Sequence, residues 1–334
     1  MKKIYFLILL LVSFLSPTLA QYSPDVLGSG FENRTFQMTD DYEGDVISTL
    51  IKRTPSHQSE KAILYVHGYN DYFFQKEMAL KFDSAGYNFY AVDLRKYGRS
   101  KLPTQYPFNV RSLSEYFADI DSALHIVKSD GNREIVLMGH STGGLIASMY
   151  AEHNRAHLGV DALILNSPFL DMNQSAFKEK VLIPVVSFFG RWFPNIKIPQ
   201  GISTGYAESL LKAYHGEWEF NTAWKMPVSP PLTAGWIRAI YTAQKQIRKG
   251  LHIPVPVLVL HSDKSIYGDD WKPEFNTGDA VLDVKDIAKY GAMLGKFTTV
   301  ETIPNGLHDL VLSNPTSRAL TYDDMFSFLK ANGL

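Results

Sequence analysis

Gly139-His140-Ser141-Thr142-Gly143 sets a serine between two glycines at the spacing G-x-S-x-G. The apolar run from Glu134 to Met138 ahead of it reads as a buried strand, and Gly144 to Ala151 behind it reads as a helix. A serine at such a sharp strand-to-helix turn projects its hydroxyl out of the sheet. The glycines let strand and helix pass closely, and free N–H groups at the helix start face any oxygen that reacts there. This arrangement suits nucleophilic attack on a carbonyl. The plain alternative is a glycine-rich turn whose serine caps the next helix. The rest of the chain must therefore supply a nucleophile's partners.

Those partners are a base, a carboxylate to orient it, and N–H donors for the developing oxyanion. The strand Lys61 to Val66 ends in His67-Gly68-Tyr69-Asn70. An early strand ending in this way makes the backbone N–H of Tyr69, together with that of Thr142, the expected oxyanion donors. One such preorganised donor contributes roughly 3 kcal/mol. His67 itself is expected to shape the loop. His308, in Asn305-Gly306-Leu307-His308-Asp309-Leu310, lies in a late loop after the strand Phe297 to Ile303 and is the expected base. His252 precedes a strand, and His261 sits at a strand end. Two aspartates compete for the acid. Asp263 is nearer its strand end. Asp279, in Gly278-Asp279-Ala280-Val281-Leu282-Asp283, has a glycine to permit a turn and apolar residues to anchor it. We expect Asp279, with Asp263 as the alternative. Residues Ile266 to Thr277 then form a surface excursion that returns to the strand end, and Asp283 caps the following helix.

The elements that must position these groups alternate. Strands are expected over Asp45 to Arg53, Lys61 to Val66, Tyr87 to Leu94, Glu134 to Met138, Val160 to Asn166, Val255 to Leu260 and Phe297 to Ile303. Helices are expected over Gln75 to Ser84, Leu113 to Lys128, Gly144 to Ala151 and Asp283 to Met293. Such alternation means an α/β fold with a mostly parallel sheet and helices on both faces. The basic turn Asp93 to Ser100 is read as structural, with Arg95 and Arg99 as the residues there able to meet an anion. Residues 167–249 break the pattern: apolar and aromatic, interrupted by prolines, without an evident strand. They are expected to form a helical cap inserted over the C-terminal edge of the sheet, where ligands bind in such folds. The main domain is then 21–166 and 250–334. Phe188, Phe189, Trp192 and Phe193 are candidate substrate-binding residues of an apolar channel for an acyl chain.

Composition agrees with one large domain carrying an insertion: 334 residues, 45% hydrophobic and 20% charged. A net charge of −1 gives no reason to expect a nucleic-acid partner. There is no cysteine, so stability must come from the core rather than from disulfides. Met1-Lys2-Lys3, the apolar run Ile4 to Leu15 and Thr18-Leu19-Ala20 read as a cleaved export signal over 1–20, which makes the mature protein periplasmic or extracellular.

The chain resembles the monoacylglycerol lipase and lysophospholipase branch of the α/β-hydrolases, also described as serine aminopeptidase S33-type. The matching pieces are His67-Gly68-Tyr69, Asp93-Leu94-Arg95 with Gly98-Arg99-Ser100, Gly139 to Gly143, Pro256 to Leu260 and Gly306-Leu307-His308. The resemblance implies hydrolysis of carboxylic esters under a mobile apolar cap, with no metal or other cofactor. This chain departs from the family after Leu260. There the family usually places its acid within a few residues in a Gly-x-x-Asp turn, and this chain has Ser262 to Ser265. The expected activity is a serine esterase working through an acyl-enzyme on a monoacylglycerol- or lysophospholipid-like substrate, and the cap offers a surface for transient contact with a membrane or micelle. One rival is an aminopeptidase on short peptides, which would want an acidic patch in the cap such as Glu208, Glu217 and Glu219. The other is a non-catalytic binding protein on the same scaffold.

Overall fold

The computed structural model describes residues 21–201 and 203–334. The export leader expected over 1–20 lies outside the described residues. The chain opens with β1 (Ser23–Pro24), β2 (Phe31–Gln37), β3 (Ile47–Arg53) and β4 (Lys61–Val66). Then come α1 (Lys76–Ser84), β5 (Asn88–Asp93), α2 (Phe117–Ser129), β6 (Glu134–His140), α3 (Thr142–His153) and β7 (Ala162–Asn166). A long segment follows with α4 (Ile183–Phe189), β8 (Lys197–Ile198), α5 (Gly205–Leu210), β9 (Leu232–Thr233) and α6 (Ala234–Ile247). The last elements are β10 (Val257–Ser262), α7 (Val284–Gly291), β11 (Thr298–Ile303) and α8 (Pro315–Ala331).

Nine strands form one sheet in the order β1-β2-β3-β5-β4-β6-β7-β10-β11. The pairs from β5 through β11 are parallel, while β1, β2 and β3 join antiparallel at one edge. The fold is that of an α/β-hydrolase. Strand residues alternate between two cores. In β4, Leu64 and Val66 join the core under α2, α3 and α6, whereas Ile63 and Tyr65 join the core under α1 and α8. In β6, Ile135 and Leu137 divide from Val136 and Met138 in the same way. Burial on both faces is why these strands read as unbroken apolar runs.

The structure corrects the sequence reading in two places. β10 runs on through Ser262, because His261 and Ser262 still pair with Thr302 and Ile303 of β11. The segment between β7 and β10, here called the cap, holds a short antiparallel pair, β8 with β9, where no strand was expected. The excursion after β10 runs over the surface as expected, and it is also tied to the cap. Its Phe275 is buried against Gly205 of α5, Asn276 Nδ2 donates to the His215 carbonyl (2.9 Å), and Ser203 Oγ donates to that of Asp269 (3.0 Å). Three elements at the chain's two ends escaped the sequence reading altogether: the short edge strand β1, its neighbour β2 and the C-terminal helix α8. α8 carries an ordinary start signal, Pro315 at its first position behind Asn314, whose Oδ1 accepts from the amides of Thr316 and Ser317.

Candidate active site

Ser141 sits between β6 and α3 with φ 52° and ψ −117°, a left-handed conformation that strains a residue with a side chain. The elbow lies hard against the end of β4. A Cβ on Gly143 would collide with the carbonyl oxygens of Val66 and His67, and one on Gly68 would lie 3.1 Å from the Ser141 Cβ. This close approach sets the loop after β4, with Tyr69 next in line, beside the nucleophile and the start of α3. Tyr69, Ser141, Thr142 and His308 all line one cavity of about 530 Å³.

The serine and histidine meet across 167 residues of sequence: Ser141 Oγ donates to His308 Nε2 at 2.9 Å. His308 Nδ1 lies 2.8 Å from Asp279 Oδ2. A carboxylate only accepts, so this bond fixes the proton on Nδ1 and leaves Nε2 free to take one. Asp279 reaches His308 because the excursion returns to the strand end. Ile266 N donates to Asp279 O (2.7 Å), and Asp279 N donates to Lys264 O (2.9 Å). Its other oxygen accepts from the amides of Val281 and Leu282, both at 2.8 Å. Asp263 does a different job: its Oδ1 accepts from Asn305 N at 2.8 Å, bracing the turn that leads to His308. Asp283 caps α7 by accepting from Lys285 N.

The other singled-out residues are occupied elsewhere. His67 donates from Nδ1 to Gly68 O and accepts at Nε2 from Leu94 N, so both ring nitrogens hold loops. His261 bonds the Ser262 carbonyl, and His252 is exposed. Arg95 forks onto buried Asp119, and Arg99 bridges Asp25 and Asp93, away from the cavity. Phe188, Phe189, Trp192 and Phe193 do not line the cavity. They are 58%, 52%, 56% and 57% exposed on the outer face of the cap. The apolar wall is built instead by Ile183 and Val186 on the other face of α4, with Phe169, Met172, Trp236 and Leu282.

Several residues that matter here were not singled out from the sequence. Asn166, at the end of β7, donates to Asp309 Oδ1 (2.7 Å) and accepts from Leu310 N (3.2 Å), and Gln75 donates to Asp309 Oδ2 (3.0 Å). Together they hold the loop that carries His308. Tyr206 of α5 accepts from Asp309 N at 3.1 Å, and its ring meets the His308 ring edge-on at 5.6 Å. Burial, reinforced by the Asp309 carboxylate, holds its phenol well above the usual tyrosine range. His140 gives its Nδ1 to Asn166 O (3.1 Å), and burial pushes its pKa down, so it stays neutral at pH 7.

Asp71, His140 and Asp309 converge closely enough to suggest a metal. Part of this set is engaged: Lys225 Nζ lies 2.9 Å from Asp71 Oδ1, and both Asp309 oxygens accept from amides, while Asp71 Oδ2 has no hydrogen-bond partner among the described residues. Asp71, His140 and Lys225 give the cavity wall a polar part. Glu208, Glu217 and Glu219 lie outside the cavity wall. Glu208 accepts from Thr204, while Glu217 and Glu219 pair with Arg318 and Lys212.

Comparison with known proteins adds the following. The family described as serine aminopeptidase, S33, matches residues 57–273. A monoacylglycerol lipase of Mycolicibacterium smegmatis is 24% identical over 225 residues, 63% of this chain and 72% of that one. Phospholipase YtpA of Bacillus subtilis is 23% identical over 208 residues, 61% of this chain and 76% of that one. A soluble variant of the Saccharomyces cerevisiae monoglyceride lipase, solved with a substrate analog, superposes with a TM-score of 0.63. It does so over 90% of this chain and 96% of its own, at 16% identity.

Proposed function

The chain belongs to the serine aminopeptidase S33 family, as an α/β-hydrolase of the monoacylglycerol lipase and lysophospholipase type, and we propose that it cleaves carboxylic esters through an acyl-enzyme on Ser141. The observation that carries the reading is the unbroken chain Asp279–His308–Ser141 at the wall of a cavity. Ser141 Oγ attacks the carbonyl carbon while His308 Nε2 takes its proton. Asp279 holds the imidazole in that tautomer and offsets the charge of the imidazolium. The amides of Tyr69 and Thr142 stabilise the oxyanion. His308 then protonates the departing alcohol, and a water activated by the same histidine releases the acid.

The cavity lining divides by chemistry: Ile183, Val186 and Phe169 are apolar, and Asn70, Asp71 and Lys225 are polar. That division supports an ester of a long acyl chain with a short hydroxylated alcohol, such as a monoacylglycerol. An aminopeptidase would need a carboxylate free for the substrate amine. The three cap glutamates are outside the cavity, Asp71 has Lys225 at 2.9 Å, and the other lining carboxylate, Asp269, is exposed. The intact serine–histidine bond likewise favours an enzyme over a binding protein.

The test is a panel of p-nitrophenyl esters of rising chain length, with aminoacyl-anilides beside them. Each buried CH₂ contributes about 0.8 kcal/mol, so kcat/KM for the eight-carbon ester should exceed that for acetate by at least about tenfold. A flat or falling series below micelle formation would count against a lipid substrate, and cleavage of anilides alone would favour the peptidase. The outward aromatics of the cap form an exposed apolar patch, which we propose rests on a lipid surface. With vesicle-borne ester in the same panel, the gain in rate should vanish in a Phe189→Ser, Trp192→Ser variant while soluble esters are cleaved as before. An equal gain in both proteins would remove the lipid-surface role.

We also propose export, on the strength of the basic start, the apolar run and Thr18-Leu19-Ala20. Among the described residues, no helix is long and apolar enough to cross a membrane. N-terminal sequencing of the protein from its native host should return Gln21 or a close neighbour; a sequence beginning at Met1 would refute export with cleavage.

A further inference from the structure

The loop after β4 is bonded to the cap residue by residue. Tyr69 Oη accepts from Gln200 Nε2 at 3.2 Å, and the same amide group donates to Pro230 O at 2.7 Å. Asn70 Nδ2 donates to Met226 O (2.7 Å) and to Ser229 Oγ (3.0 Å), while Asn70 Oδ1 accepts from Met226 N (2.9 Å). Asp71 pairs with Lys225 at 2.9 Å. Tyr72 Oη accepts from Asn221 N at 2.8 Å, and its ring meets Trp224 edge-on at 5.1 Å. Four consecutive residues thus hold the cap segment 221–230, and the first of them carries the amide assigned to the oxyanion.

Asn70 is the centre of this arrangement. Its side chain faces the Met226 backbone with a donor and an acceptor at once, as a neighbouring strand would. Its own φ is 48°, in the left-handed region that asparagine tolerates better than most residues. The Tyr69 ring is meanwhile pinned between Phe108 and Trp236, with centroids at 5.0 and 4.9 Å. The Tyr69 amide therefore lies on a peptide held through its ring and through the residue that follows it, and both anchors reach into the cap.

We infer that Asn70 is a positioning residue. By clamping Met226 it sets where the Tyr69 amide points, so the docked cap becomes part of the oxyanion hole as well as a roof over the substrate. This rests on the reading of Ser141 as nucleophile and Tyr69 as oxyanion donor. Loss of one whole donor costs about 10² to 10³-fold in kcat, and a donor that remains but drifts loses part of that.

The experiment compares the native chain with Asn70→Gly, which keeps the left-handed conformation accessible while removing all three bonds. The probe is an aliphatic trifluoromethyl ketone. Ser141 Oγ adds to its carbonyl carbon, the hydroxyl proton passes to His308, and the carbonyl oxygen becomes an anion in the hole. We expect kcat to fall about 10 to 100-fold with KM within about twofold. The inhibition constant of the ketone should rise by the same factor, while that of the matching carbinol, which forms no oxyanion, stays put. Asn70→Asp keeps the acceptor for Met226 N but sets a carboxylate against Met226 O, and should lose activity with the same signature. Unchanged kcat and ketone affinity in a folded variant would overturn the inference, as would a rise in KM alone. If neither variant folds, Asn70 is a residue of stability and the inference falls. If the native chain forms no adduct with the ketone, the hydrolase reading itself fails, a result distinct from a difference between variants.

Discussion

Ser141→Ala is expected to abolish ester turnover and labelling by a fluorophosphonate, and to leave a folded protein. Loss of the nucleophile of such a triad costs about 10⁶-fold in kcat, because His308 and Asp279 then have no group to activate. A residue of catalysis over water should survive, since the oxyanion donors and the cavity still bind and polarise the ester. Folding should survive because the change removes one oxygen and one hydrogen bond, the one to His308. A bond of that kind contributes on the order of 1 kcal/mol net. The positive φ at position 141 strains alanine as it strains serine, so the backbone cost is common to both. Turnover by the alanine variant close to the native rate, with melting temperature intact, would remove the proposed chemistry at its root.

The parts of the fold legible in the sequence were those whose residues carry their own contrast. β4, β6, β7 and β10 are buried on both faces, so each reads as an apolar run between polar turns. β2 was missed because it is half-buried and polar, with Asn33, Arg34 and Thr35 in its middle. α4 was legible as apolar but not as oriented. Ile183 and Val186 share one face and line the cavity, whereas Val185, Phe188 and Phe189 face outward, as does Trp192 just beyond the helix. The one buried residue of this helix is Ser187 while its largest apolar side chains are exposed, the reverse of the pattern that marks an inward face. Ser141 and His308 were legible because a local motif marks the first and a late post-strand loop marks the second. Asn70, Lys225, Asn166 and Tyr206 were not. Their partners lie far away along the chain, Met226 being 156 residues from Asn70 and Asp309 being 143 from Asn166. No local pattern records such pairings.

Asp279→Asn should cost about 10⁴-fold in kcat, and Asp263→Asn less than about tenfold. The first figure follows from the tautomer. Asparagine keeps the shape of Asp279, but its amide can donate to His308 Nδ1, which shifts the imidazole proton to Nε2, where it can no longer accept from Ser141. The second follows from what Asp263 touches. Its Oδ1 accepts from Asn305 N, and an asparagine carbonyl oxygen can accept there just as well. Its backbone amide, which donates to Ile303 O, is untouched by the change. Simple spacing favours Asp263, since it follows β10 directly, yet that closeness is what disqualifies it geometrically. At the first position past the strand, its side chain is still engaged with the turn beneath His308. A carboxylate facing Nδ1 requires the chain to travel outward and return, and the excursion does so with Phe275 packed against Gly205 of the cap and with Ile266 and Lys264 bonded to Asp279. The measurement is kcat for a short soluble ester, with the melting temperature of each variant taken alongside, so that a loss of folding is not read as a loss of chemistry. A large loss in Asp263→Asn and a small one in Asp279→Asn would reverse the assignment and leave the excursion as an attachment for the cap alone.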